Sequence, residues 1–204
     1  ELAMPWSFYN SSGELQINDG GVLASAAVFT GNADLGSNLL VGNAGSTGIA
    51  ISSAGEVTMS AQPSVLAHNS ASDNNATGGG TAVTIDFDTE IFDQNADFAS
   101  DAFTAPITGR YLVAFQVQVG GLTDAMNDAR TTLTSSNRNY GGRLIDPGNV
   151  RDGNNTASFG FSVIIDMDAA DTFTIVLDFA GGSDVGDILG ASDLVTFLSV
   201  QLIA

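Results

Sequence analysis

The stretch DQNADFASD, residues 93–101, places Asp93, Asn95, Asp97 and Asp101 in one short segment. Oxygen donors alternating along a loop are what a hard divalent cation takes, and calcium is the ion this spacing would suit. The segment lacks the glycine and the closing glutamate of an EF-hand, so any such site would be of another kind. RDGNN, with Asp152, Asn154 and Asn155, and SDVGD, with Asp184 and Asp187, are further acidic turns of the same composition. For each of them the plainer alternative is a solvated turn without an ion.

A second group lies in NRNYGGRLIDPGNVRDGNN, where Arg138, Tyr140, Arg143 and Arg151 stand among asparagines. Guanidinium forks and an aromatic ring would grip an anionic or sugar ligand through bidentate and stacking contacts. The alternative is that these arginines pair with acids of this chain or of a neighbouring copy.

Catalysis finds less support. His68 and Ser70 are close in sequence, but no G-x-S-x-G turn presents a serine nucleophile. Asp86/Asp88 and Asp166/Asp168 are spaced two apart, which on a strand puts both carboxylates on one face about 7 Å apart. A glycosidase uses such a pair, but only in a cleft, and no convergent aromatic and polar residues accompany either pair here. The expectation is a protein without a catalytic site and without a required cofactor.

The elements that must hold these loops are all β. Glycine, serine, threonine and asparagine interrupt the chain at short intervals, and apolar residues recur at period two instead of period 3.6. Val83, Ile85 and Phe87 alternate with polar residues, as do Phe159, Phe161, Val163 and Ile165, and again Phe173, Ile175, Leu177 and Phe179. In GRYLVAFQVQV, Tyr111, Val113, Phe115, Val117 and Val119 share one face, while Arg110, Leu112, Ala114, Gln116 and Gln118 share the other. The closing LVTFLSVQLIA is apolar on both faces, with Leu194, Leu198, Val200 and Leu202 opposite Val195, Phe197 and Ile203, so its outer face is expected to meet another subunit. HNSASDNNATGGG, 68–80, reads as a polar loop.

Composition narrows the partners. The chain of 204 residues carries 23 acidic residues against five basic ones, all five arginine, for a net charge of −18. That balance excludes a nucleic-acid backbone as ligand, which needs a basic footprint. It suits an extracellular or salty setting. There is no cysteine, hence no disulfide, thiol nucleophile or thiolate metal site, and packing must hold the fold. No apolar run reaches the roughly 18 to 20 residues that span a bilayer, so membrane insertion is not expected. A chain beginning at Glu1 suggests a processed N-terminus.

Residues 1–61 read as short, small-residue strands between tight turns, and 62–204 as a larger domain entered at AQP. The first region would bury its apolar faces against copies of itself, as a stem or collar, or else fold back on its own domain. Trp6, Phe8 and Tyr9, close together near its start, are expected to anchor it in a partner.

The run TIDFDTEIFDQNADFASDAFTAPITGRYLVAFQV resembles the signature of the complement component 1q-type globular head, of the tumour necrosis factor-like superfamily. The matching positions are Phe87, Asp88, Asn95, Phe98, Phe103, Thr104, Ala105, Pro106, Gly109, Tyr111, Leu112 and Phe115. DMDAADTFTIVL and DLVTFLSVQLIA resemble later strands of that head. The resemblance implies an all-β, ten-stranded jelly-roll sandwich over 62–204 that assembles as a homotrimer on a β-rich stem. The absence of a Gly-X-Y repeat, of cysteine and of lysine sets this chain apart from the animal immune members. The expected function is therefore a trimeric structural and binding protein of a bacteriophage virion, a fibre, tail or capsid decoration that mediates attachment. Its N-terminal region would contact other virion or surface proteins. The alternative is a secreted or cell-surface carbohydrate-recognition module, with or without calcium (Ca2+), taking a surface glycan.

Overall fold

The computed structural model describes residues 40–41, 47–52, 54–180 and 185–204. Trp6, Phe8, Tyr9 and Asp184 lie outside the described residues. Three short strands, β1 (Leu40–Val41), β2 (Thr47–Ile51) and β3 (Val57–Thr58), form an antiparallel sheet of their own. The turn after β3 is strapped by side-chain amides. Gln94 Nε2 donates to the carbonyls of Met59 and Gln62, both at 2.9 Å, and Asn95 Nδ2 to that of Ala61 at 3.1 Å. Gln62 Nε2 in turn donates to the Leu202 carbonyl at 2.7 Å.

The remaining strands are β4 (Ser64–His68), β5 (Asp73–Gly78), β6 (Val83–Thr84), β7 (Thr89–Asp93), β8 (Phe98–Ala99), β9 (Ala102–Thr104), β10 (Gly109–Gly120), β11 (Asp128–Ser135), β12 (Asn139–Ile145), β13 (Ala157–Met167), β14 (Thr172–Ala180), β15 (Val185–Leu189) and β16 (Phe197–Leu202). A single short helix, α1 (Pro147–Val150), interrupts them among the described residues. The first sheet runs β5-β15-β10-β16-β4-β7, with β13 also paired to β10, and the second runs β12-β11-β14-β9-β8, with β6 on β14.

Eight of these strands make the frame: β4, β9, β10, β11, β12, β13, β14 and β16 in chain order. Numbered from first to eighth, one sheet reads first, eighth, third, sixth and the other second, seventh, fourth, fifth. Only the β11–β12 hairpin stays within a sheet; every other link crosses from one to the other. That order, with antiparallel pairing throughout, is the jelly roll the sequence resemblance implied.

Period-two alternation puts one side of each strand between the sheets. Tyr111, Val113, Phe115, Val117 and Val119 of β10 meet Ile165 and Phe159 of β13 and Leu198 and Val200 of β16, and across the gap Leu133, Phe173, Ile175, Leu177 and Phe179 of the second sheet, all buried. Phe103 is the hinge between layers: its ring centroid lies 5.4 Å from Tyr111, edge to face, and 5.4 Å from Phe173. Tyr111 is fully buried, and its hydroxyl donates to the Ile107 carbonyl at 2.7 Å. That bond satisfies the one polar atom of the ring and fixes the PITG turn that leads into β10. Gly109 closes this turn because a Cβ there would lie 2.7 Å from both the Ala204 carbonyl oxygen and Leu202 Cδ1.

Three expectations are corrected. HNSASDNNATGGG is not all loop, since Asp73–Gly78 is strand β5, paired with β15 at the sheet margin. An edge strand with solvent on most sides needs no apolar alternation. Val83, Ile85 and Phe87 do alternate inward, but the strand ends at Thr84 and its last bond to β14 is the Ile85 amide on the Ile175 carbonyl at 2.9 Å. Beyond it the Phe87 amide donates to Asp101 Oδ1 at 2.8 Å instead of to a neighbouring strand. Leu194 is not in the closing strand: it sits in a turn with φ of 57°, its amide on the Ala191 carbonyl, and the strand begins at Phe197.

Truncating Phe103 to alanine is expected to cost about 3 to 5 kcal/mol, because one ring serves both layers. Ile107→Ala, at a side chain 50% exposed, should cost under about 0.5 kcal/mol. Denaturant unfolding of the two variants checks this; similar midpoints would show that Phe103 does not join the layers.

Candidate functional site

The loops emerge at two ends of the sandwich. The end that holds Ala204 gathers the 104–109 turn, the β11–β12 hairpin and the β13–β14 turn. Here Arg138 pairs with Asp166 at 2.9 Å, and the Tyr140 hydroxyl donates to the other oxygen of the same carboxylate at 3.1 Å. Burial, followed by this bond, holds the Tyr140 phenol above its ordinary value. Asn137 Nδ2 donates to the Asp166 carbonyl and to Asp171 Oδ2, both at 3.1 Å. Asp171 also accepts from the Ser136 hydroxyl at 2.6 Å and the Asp168 amide at 2.8 Å. The Ser136 hydrogen bond, then that amide, hold the Asp171 carboxyl below its ordinary value. Beside this network lies a cavity of about 380 Å³ lined by Thr108, Gly109, Arg110, Asn137, Asp166, Met167, Asp168 and Ala204.

Arg151 is at the other end. It follows α1 and pairs with Asp124 at 2.6 Å, separated from Arg138 by the length of β12, roughly 20 Å for seven residues. Arg143 falls within β12, and its side chain lies outside what is described. The structure thus brings Arg138 and Tyr140 together on one carboxylate and leaves Arg151 apart. Arg130 pairs with Asp178 at 3.4 Å, so Arg110 is the described arginine with no ion pair among the described residues.

Two of the carboxylates of 93–101, those of Asp93 and Asp101, accept from backbone amides. Asp93 accepts from the Asp97 and Phe98 amides at 3.0 and 2.8 Å. Asn95 turns its amide nitrogen to Ala61, as described above. Asp101, in a two-residue hairpin turn with Ser100 where both φ are positive, accepts from Phe87. Burial pushes the Asp97 carboxyl up. Among the described residues no three His, Asp or Glu side chains converge as a metal site. Asp152 accepts from the Asn154 and Thr156 amides at 2.8 and 2.9 Å.

His68 is buried, with Nδ1 3.2 Å from the Asn69 carbonyl oxygen. The Ser70 hydroxyl donates to Asp88 at 2.7 Å, so the two do not form a nucleophile and base. That bond holds the Asp88 carboxyl low, while burial and the neighbouring carboxylates of Asp101, Asp73 and Asp88 push Asp86 up.

The outer face of the first sheet is the other candidate surface. Register places Ser64, Gln201, Leu112 and Ile164 in one row across β4, β16, β10 and β13. The next row is Phe92, Leu66, Ser199, Ala114 and Ser162, beginning on β7, and the next is His68, Phe197, Gln116 and Gly160. No Asp, Glu or Arg stands in these rows. Phe92, Leu112 and Ile164 are exposed by 46%, 39% and 55%. A groove of about 280 Å³ opens among Ala114, Gln116, Gly160, Phe161, Ser162 and Phe197. Gly160 floors it, since a Cβ there would meet the Phe115 carbonyl oxygen. Sequence reading anticipated Phe197 on the outward side of β16, but Ser199 and Gln201 share that side and Val195 and Ile203 fall outside the strand; it missed Phe92, an aromatic on a margin strand that period two alone cannot tell from a core residue.

No family model and no curated protein matches the chain. Among solved structures, it is similar to a crystal structure of murine APRIL, with 13% identity, a TM-score of 0.47, and coverage of 70% of this chain and 99% of that one. It is likewise similar to the globular domain of a zebrafish complement 1qA protein, with 13% identity, a TM-score of 0.46, and coverage of 70% and 98%.

Because Asp171 is held low in the folded state, its contribution to stability is complete above the ordinary value of 3.8 and is lost as the pH falls through the folded value. Asp171→Asn is therefore expected to lower the thermal midpoint at neutral pH and to flatten its decline below about pH 4. Melting curves across pH check this, and superimposable profiles would remove Asp171 as the organiser of these turns.

Proposed function

We propose that this protein is a non-enzymatic homotrimer, a jelly-roll head that serves as a structural and binding module outside the cell. Its most specific form is a bacteriophage fibre, tail or capsid decoration that mediates attachment, with residues 1–61 as stem. The supporting observation is the outer face of the first sheet. In a chain with a net charge of −18, copies repel one another, and association meets least repulsion through surface free of carboxylates. The three rows between β7 and β13 are such a surface, free of Asp, Glu and Arg, with exposed Phe92, Leu112 and Ile164 and a groove left open.

Three heads on one axis present every loop in triplicate, so weak individual contacts with a dense surface ligand add to strong attachment. The loop cluster of Arg138, Tyr140 and Asp166, joined through one exposed carboxylate, is the group of side chains best placed for such contacts. The expected native mass is about 62 kDa, three times the 20.8 kDa chain. Light scattering on the purified protein measures it, and a stable monomer at all concentrations would overturn the trimer.

A further inference from the structure

We infer that Phe92 of one copy seats in the groove of Ala114, Gly160 and Ser162 on the next, so that the trimer closes through a repeated, one-directional contact. This rests on the trimeric reading and names the contact that would build it. Around a three-fold axis every interface is heterologous, and each copy must offer two different, complementary parts. The outer face of the first sheet has both. On its β7 margin Phe92 stands 46% exposed beside Ile91, 50% exposed, in a chain whose other phenylalanines among the described residues are buried or half-buried. Toward its β13 margin lies the groove of about 280 Å³, where alanine, glycine and serine leave space that larger side chains would fill.

The two parts cannot meet within one chain. From β7 to β13 the sheet takes four strand steps, through β4, β16 and β10, which at about 4.8 Å each is roughly 19 Å. Both are uncharged, and the rows between them hold no Asp, Glu or Arg, so the carboxylates near the contact are those on the margin strands themselves, Glu90 and Asp93 on β7 and Asp166 on β13. A second copy is the occupant that the face itself supplies: knob and hollow are present in equal number, on opposite margins of the same surface.

The absence of cysteine makes the test direct. In Phe92→Cys/Ser162→Cys the two thiols of one chain are too far apart to join, since a disulfide needs Cα atoms within about 7 Å. Mild oxidation is expected to give a covalent species of three chains on a non-reducing gel. Phe92→Cys alone should give none. A separate variant, Phe92→Asp, would put a carboxylate into the hollow and is expected to weaken assembly by roughly 100-fold or more while leaving the β circular dichroism spectrum unchanged. A native trimer that neither cross-links through the double variant nor responds to Phe92→Asp overturns this contact and leaves the trimeric reading intact. A covalent end product of two chains, or a wild-type monomer, overturns both.

Discussion

Strand β10 is the constraint on which the rest of the structure depends. Its twelve residues pair with β13 along nearly the whole length on one side and with β16 and β15 in succession on the other. Odd-numbered side chains from Tyr111 to Val119 make the inner wall of the core, and even-numbered ones from Leu112 to Gln118 make the middle of the uncharged outer face. Core and surface are thus two readings of one alternation. A slip of one residue would turn Tyr111 and Phe115 to solvent and Gln116 into the core. The Tyr111 hydroxyl on Ile107 and the tight seat of Gly109 against Ala204 hold the start of the strand where that slip would begin.

A second regularity concerns charge. With few cations to pair with, the carboxylates turn to backbone amides and hydroxyls. Asp93, Asp152 and Asp171 each accept from amides of their own or an adjacent turn, and Asp88 accepts from the amide and hydroxyl of Ser70. The bonds to Asp88, Asp152 and Asp171 favour the ionised form of each, and together these contacts order the turns. In the loops at 93–101 and 152–156, Asp93 and Asp152 are in this way held by main-chain amides of their own turns.

What was legible in the sequence was what period two controls. The alternation of β10, β13 and β14 identified the core correctly, and the motif around Phe103 and Tyr111 carried the jelly-roll order. Less legible was anything that depends on strands far apart in the chain. Asp166 reads as half of a carboxylate pair with Asp168, but its partners are Arg138 and Tyr140, 26 or more residues away. Asp171 meets Ser136 and Asn137 only because the β11–β12 and β13–β14 turns share one end of the sandwich. Polar β5 left no apolar trace, because a margin strand is stabilised by its ladder and not by buried side chains.

The amide straps around residues 59–62 bear on how this head would carry load. A pull transmitted along the chain toward Pro63 enters β4, which lies between β16 and β7 and runs antiparallel to both. The ladder bonds stand perpendicular to that direction, so they are strained together in shear and do not open one at a time. Gln62 on Leu202, and Gln94 and Asn95 on the turn before it, place further bonds across the same point of entry. A pull on the chain at Gln62 would therefore load these bonds and the β4 ladder together.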